Sequence, residues 1–223
     1  MSDQPTESTF NASEDPFDDI YAAVGDDLSR VPWAGLAPNP LLVDWFEHPP
    51  PGAEAPAIPE AEMPPRALVI ACGLGDDAEE LSSRGYDVCA FDFSPTAIGW
   101  CHRRWTDSTV DYRVADLFEL PASWQAGFDL VVEVNTIQSL PPEQHRSGIA
   151  AVARAVAPNA VLFARCSARE DDEPAPHRPW RLTRTELAAF AEEGLDERDF
   201  YDGVTANGRR QFRLIYRRPA APA

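Results

Sequence analysis

The sequence predicts an α/β fold: a doubly wound, mostly parallel sheet of seven strands, with a C-terminal antiparallel hairpin strand and an N-terminal helical cover. Three observations carry this expectation. From Arg66 onward short apolar runs alternate with helix-like segments, so successive strands need crossover connections and lie parallel, covered on both faces. The first of those runs breaks into Gly73-Leu74-Gly75 directly before a helix-like segment. The last two runs are joined across "ANG", a hairpin turn that reverses one strand.

Taken in order, Met1–Glu14 is polar and without periodicity, so residues 1–15 are expected to be a disordered tail. Aromatics return over residues 16–46, with Phe17, Tyr21, Trp33, Trp45 and Phe46, and short helices are expected around Asp18–Val24 and Pro40–Phe46. Residues 47–65 are a Pro/Ala/Glu linker, because proline removes backbone donors and fixes φ. Residues 66–218 then form the main domain. Strands are expected at Ala67–Ala71, Asp87–Phe91, Val110–Val114, Phe128–Val134, Ala160–Cys166, Leu195–Phe200 and Arg210–Arg217. Helices are expected at Asp76–Arg84, Pro95–Trp105 and Pro142–Val156. A second Pro-rich stretch, Glu170–Arg181, leads into a last helix, where Thr183 and Glu186 have the spacing of a capping box.

Composition narrows the function. A chain of 223 residues, 44% hydrophobic, suits one α/β domain with a real core. Its 19 basic residues stand against 37 acidic ones, a formal charge of −18, which repels nucleic-acid backbones and anionic lipid. All 19 basic residues are arginine. A G-x-x-x-x-G-K-[ST] phosphate loop and a pyridoxal Schiff base both need lysine, so both are excluded. Cys72, Cys89, Cys101 and Cys166 lack paired spacing, which points to reduced thiols rather than a disulfide framework or metal site. Without a basic-then-apolar leader or a membrane-length apolar run, the protein is expected to be soluble and cytoplasmic, a monomer or homodimer acting on a small molecule.

The turns carry the chemistry. Gly73 and Gly75 allow a sharp turn and a close approach of backbone to ligand. The third glycine of G-x-G-x-x-G is replaced by Ala78, and the helix opens with Asp76 and Asp77, whose charges disfavour a diphosphate at that helix start. Asp92, at the end of the second strand, is placed to accept both ribose hydroxyls of a nucleoside. Asp116 ends the third strand, where a carboxylate and a neighbouring N–H read the adenine edge; an Asp there also simply initiates a turn. Together these describe a pocket for a phosphate-free adenosine, and S-adenosylmethionine, with its cationic sulfonium, fits that description.

On these residues the chain resembles the class I S-adenosylmethionine-dependent methyltransferases over roughly Arg66–Arg217. The resemblance implies a Rossmann-like sheet, with Ala71, Cys72, Gly73, Leu74 and Gly75 as the glycine motif. It likewise implies Asp92, Phe93 and Ser94 as the ribose motif, and Asp116, Leu117 and Phe118 as the adenine motif. The family's usual acid and first glycine are Val69 and Ala71 here. Those departures, with "VPWAGLAPNPLL" and "PHRPWRLTRTEL", are similar to the thiopurine and thiol methyltransferase branch, although the arginine of that branch's fourth-strand motif is Val134 here. The branch implies a thiol or other soft nucleophile as acceptor.

Methyl transfer from a sulfonium needs alignment more than activation. The candidates lie in "VVEVNTIQSLPP", which leaves the fourth strand. Glu133 is expected as general base or as the holder of the cofactor's amino group, Asn135 and Gln138 as residues orienting the acceptor, and His145 as a proton shuttle at the rim. Tyr21, Gln138, His177 and Trp180 are expected on the acceptor side, and Trp33, with Tyr21 and Trp45, in a cover over the cofactor, Trp33 touching it. Two other functions stay open: O- or N-methylation of a small biosynthetic metabolite, and a non-catalytic protein that keeps the fold and binds the cofactor.

Overall fold

A computed structural model describes residues 16–58 and 63–221. The expected tail, residues 1–15, and linker positions 59–62 lie outside the described residues. The sheet has seven strands: β1 (Arg66–Ile70), β2 (Asp87–Asp92), β3 (Asp111–Val114), β4 (Phe128–Val134), β5 (Val156–Ser167), β6 (Asp196–Val204) and β7 (Arg210–Arg217). Their order is β3-β2-β1-β4-β5-β7-β6, parallel except where β7 pairs antiparallel with β5 and β6. The expected doubly wound, mostly parallel sheet with a reversed C-terminal strand is therefore what forms. Strand order reverses between β1 and β4, which opens a crevice outside the carboxyl ends of those strands.

The helices are α1 (Pro16–Ala23), α2 (Pro40–Glu47), α3 (Asp76–Ser83), α4 (Pro95–Arg104), α5 (His145–Ala155), α6 (Arg184–Leu187) and α7 (Ala189–Glu192). Their starts follow from sequence. Asn39 caps α2 through Leu41 N and Ser94 caps α4 through Ala97 N, each ahead of a proline at the first helical position. The Thr183–Glu186 capping box forms in both directions, as its spacing predicted.

Two core layers sandwich the sheet. Leu68, Ile70, Phe128, Val131, Leu162 and Phe212 pack beneath α5–α7. Val69, Val88, Leu130, Val132, Phe163 and Ile215 pack on the other face with Leu42, Leu81 and Ile98 from the helices. Trp45 belongs to this second layer: it is fully buried, stacks near Phe163 and donates its indole N–H to Ala53 O at 2.7 Å. The expectation that Trp45 covers the cofactor is corrected, because a large ring on the apolar stripe of α2 is claimed by the sheet.

Smaller differences have local causes. β5 begins at Val156, directly after α5, although Pro158 and Asn159 read as loop; Asn159 takes φ +64° there. The last helix breaks at Ala188 into two short turns, and α5 is preceded by a 3-10 turn at Pro142–Gln144.

Candidate active site

The glycine turn closes tightly. Cys72 N donates to Phe91 O at 2.8 Å and Gly75 N to Cys72 O at 3.0 Å. Gly73 and Gly75 both have positive φ, +55° and +88°. At Gly75 the requirement comes from the protein itself: an added Cβ would lie 2.5 Å from the Tyr112 hydroxyl and 3.0 Å from the Trp105 indole nitrogen. At Gly73 the nearest atom to such a Cβ is the Tyr21 hydroxyl, at 3.1 Å. Ala71, where the resembled family carries glycine, takes φ +48°, a left-handed conformation that strains an L side chain.

Asp92 binds this turn to the second strand. Its Oδ2 accepts Gly73 N–H at 2.8 Å and its Oδ1 accepts Ser94 N–H at 2.9 Å. Half-buried Phe93 lies between these two contacts in sequence. Leu74 is buried, and its carbonyl accepts from Arg104 and from Trp105 Nε1.

The two acids opening α3 behave differently from the expectation that both face the ligand. Asp76 is gripped by both terminal nitrogens of Arg104 at 2.8 Å, so its charge is neutralised within the fold. Asp77 accepts Asn39 N–H at 2.6 Å and so ties the cap of α2 to the turn. Burial pushes the Asp77 carboxyl up to about 6. Neither is a free negative charge at the turn: an arginine 28 residues away and a helix cap 38 away use them instead.

Asp116 sits half-buried at the end of β3 and accepts Phe118 N–H at 2.8 Å, the turn-initiating role. Leu117 turns into the core and Phe118 remains 39% exposed. A surface cavity of about 320 Å³ lined by Phe118, Trp124, Gln125 and Arg154 lies against the C-terminal end of α5, away from the glycine turn.

At the exit of β4, Glu133 is 1% exposed. Its Oε1 accepts Thr136 N at 2.6 Å and Ile137 N at 3.1 Å, whereas its Oε2 is buried with no hydrogen-bond partner among the described residues. Burial pushes this carboxyl up to about 7 despite those two amides. The other three catalytic candidates are committed to structure. Asn135, at φ +65°, accepts from Arg165 through Oδ1. Gln138 Oε1 accepts Ser167 N–H at 2.5 Å, and Gln138 O accepts Trp180 N–H at 2.8 Å. His145 is buried between Leu140 O, 3.0 Å from Nε2, and Glu186, 3.2 Å from Nδ1. It therefore braces α5 against α6 rather than standing at the rim, because Glu186 is fixed in turn by its capping box and by Arg169.

The N-terminal segment covers the turn. Asp18 on α1 accepts from Ser94 Oγ and, at 3.1 Å, from Thr96 N. Tyr21 is 3% exposed and clusters with Val24, Val31, Leu74 and Ala97. Trp33 stands outside it, 42% exposed, donating its indole N–H to the Tyr21 hydroxyl at 2.8 Å. The expected positions are thus exchanged: Tyr21 meets the glycine turn and Trp33 backs it. Arg178 lies over the rings of both Phe17, at 4.7 Å, and Trp180, at 5.2 Å, linking cover and second Pro-rich stretch. His177 is exposed, with no contact to this cluster among the described residues.

Sequence reading passed over Asp18, Arg104, Arg165 and Arg178. Arg165 alone carried a local signal, a charge inside the apolar run "AVLFARC".

Residues 67–159 match the family model described as a methyltransferase domain. The ubiquinone biosynthesis O-methyltransferase of Dechloromonas aromatica (strain RCB) is 32% identical over 127 residues, covering 56% of this chain and 50% of that protein. The chain spans about half the length of the curated relatives it matches. Among solved structures, a protein described for the conversion of a disulfide bond into a thioacetal group during echinomycin biosynthesis superposes with a TM-score of 0.65. It is 22% identical, with 86% of this chain and 87% of that one covered. An S-adenosylmethionine-dependent methyltransferase of Methanosarcina mazei superposes at 0.63, 18% identical, with 83% and 100% covered. These likenesses show the fold: the Rossmann-like sheet of such methyltransferases.

Proposed function

We propose that this chain, which carries a methyltransferase domain over residues 67–159, is an S-adenosylmethionine-dependent methyltransferase of a small molecule. The observation that carries the reading is the unpartnered, buried Oε2 of Glu133 beside the reversal of strand order. A buried carboxylate oxygen without a donor is costly, and the ammonium of a methionyl group supplies the missing partner. Asp92, already anchored to the glycine turn through Gly73, would hold the ribose hydroxyls, and Gly73 gives close backbone approach. Residues 66–218 act as the catalytic body and 16–46 as its cover, with Tyr21 closing over the turn.

When bound, the cofactor supplies an activated methyl group on a sulfonium. The chain's own residues bind, orient and keep water out. Tyr21 and Trp33 wall the turn with rings, Asn135 positions Arg165, and Gln138 anchors the Trp180 segment through its backbone. With a carboxyl near neutrality, Glu133 either pairs with the cofactor's amino group or takes a proton from the acceptor.

The acceptor is a thiol or another soft nucleophile, the reading that the irregular "IACGLG" turn supports. Oxygen is the second reading, favoured by the 32% identity to ubiquinone biosynthesis O-methyltransferase. Isothermal titration with S-adenosylmethionine and S-adenosylhomocysteine tests the first layer, and absence of binding by both sinks the methyltransferase reading. A radiolabelled methyl-transfer screen across thiols, chalcogen anions, phenols and amines then separates sulfur from oxygen.

A further inference from the structure

Arg165 stands near the C-terminal end of β5. It pairs with Val134 across the β4–β5 ladder and with Arg213 across the β5–β7 ladder. These two arginines are held in opposite ways. Arg213 lies 2.7 Å from Asp199 and 3.6 Å from Asp44, so its charge is balanced twice. Arg165 has no carboxylate within ion-pair distance among the described residues. Its hydrogen bonds go to two neutral amide oxygens: Nε and Nη2 to Gln211 Oε1 at 3.1 and 2.6 Å, and Nη1 to Asn135 Oδ1.

What distinguishes it from the other arginines without a carboxylate partner is its place at the carboxyl ends of β4 and β5. Both amides hold the guanidinium plane in place without neutralising it, and they leave further N–H groups of the fork uncommitted. Arg165 is half-buried, so it is reachable from outside. Glu133 and Asp77 act on it only through space, neither within ion-pair distance, and burial pushes the Glu133 carboxyl up to about 7, so near neutrality it carries only part of its charge. An oriented guanidinium lacking a counter-ion at the carboxyl ends of β4 and β5 is the complement of a planar carboxylate.

We propose that Arg165, held by Asn135 and Gln211, binds a carboxylate of the reacting molecules, contributed either by the acceptor or by the methionyl end of the cofactor. The proposal rests on the methyltransferase reading and adds a chemical class to it: one ligand group at this end of the site is a monoanionic carboxylate. Asn135 and Gln211 are then positioning residues that act through Arg165.

The test uses the full chain and the variants Arg165→Gln and Arg165→Lys. Titration compares S-adenosylhomocysteine with 5′-methylthioadenosine, which lacks the amino-acid carboxylate. Methyl transfer compares mercaptobenzoate and hydroxybenzoate with their methyl esters. A loss of about tenfold in affinity for S-adenosylhomocysteine alone in Arg165→Gln supports the site and names the cofactor as its anion. Unchanged cofactor affinity, with a wild-type preference for acid over ester that disappears in Arg165→Gln through KM, supports it and names the acceptor. In either case Arg165→Lys retains part of the effect, and 5′-methylthioadenosine binding reports an intact fold. If Arg165→Gln alters neither the cofactor comparison nor the acid–ester comparison, including because no acid is preferred or methylated, the proposal is overturned. If the wild type binds no S-adenosylhomocysteine, the broader reading fails first, by a separate readout.

Discussion

Gly73 donates its backbone N–H to Asp92 Oδ2 at 2.8 Å, so the turn after the first strand and the acid ending the second form one rigid unit. Asp92→Asn removes the charge and sets an amide NH2 against one of the two backbone N–H groups that the carboxylate accepts. We expect affinity for S-adenosylhomocysteine to drop by about tenfold or more, since hydrogen bonds to charged groups contribute roughly 1.5–3 kcal/mol each. Titration checks it, and a change below about twofold would remove Asp92 from the ribose site.

Glu133 makes stability fall as pH rises. Its folded carboxyl is raised from 4.5 to about 7, so its contribution is full below pH 4.5 and is lost as pH climbs through about 7. Asp77, raised from 3.8 to about 6, works in the same direction. Denaturant melts of the wild type and Glu133→Gln should therefore diverge between these limits, the wild type losing at most about 3 kcal/mol relative to the variant. If an ammonium lies against Oε2, binding S-adenosylhomocysteine releases a proton below pH 7, and affinity rises with pH. Titration in buffers of different ionisation enthalpy reads this directly; equal enthalpies in wild type and variant would assign Glu133 no ammonium.

Ala71→Gly should stabilise the protein or leave it unchanged, against the usual direction. An L residue at φ +48° carries about 1–2 kcal/mol of strain, which glycine relieves while adding unfolded-state entropy of roughly 0.5–1 kcal/mol. A clear fall in thermal midpoint would show that the Ala71 methyl does packing work that outweighs its strain.

Arg178→Ala should loosen the cover while leaving the sheet intact. It removes two ring contacts, each contributing about 0.5–1 kcal/mol at exposed sites. Limited proteolysis between residues 24 and 40 should quicken, with the global melt shifted little. Unaltered cleavage would mean that Asp18, through Ser94 and Thr96, and the apolar cluster around Tyr21 hold the cover without Arg178.

What could be read from sequence was what depends on neighbours along the chain. Alternating apolar runs gave every strand of the sheet, and Gly73 with Asp92 stood out because two consecutive strand ends present them. Thr183 and Glu186 announced their cap three residues apart. The misread residues take their roles from distant partners. Asp76 is neutralised from 28 positions away, Ser94 meets Asp18 across 76, and Arg165 is oriented by residues 30 and 46 away. His145 reads as a rim residue until Glu186, 41 positions on, is folded against it. Start of β5 was hidden for a different reason: Pro158 is a poor strand former, and the ladder with β4 resumes only after a register shift.

The outermost strand gives part of the charged composition a purpose beyond solubility. β6 closes one side of the sheet and carries Asp196, Glu197, Asp199 and Asp202 along nine residues, most of them exposed. Each of these four acids is ion-paired with an arginine: Asp196 with Arg198, Glu197 with Arg184, Asp199 with Arg213 and Asp202 with Arg210. An open strand is a template for another chain's backbone, and a second copy docking there would have to strip water from these charged pairs. Hydrated charged groups along the margin thus act as a fence against edge-to-edge growth. The opposite margin, β3, is only four residues long and offers little to extend.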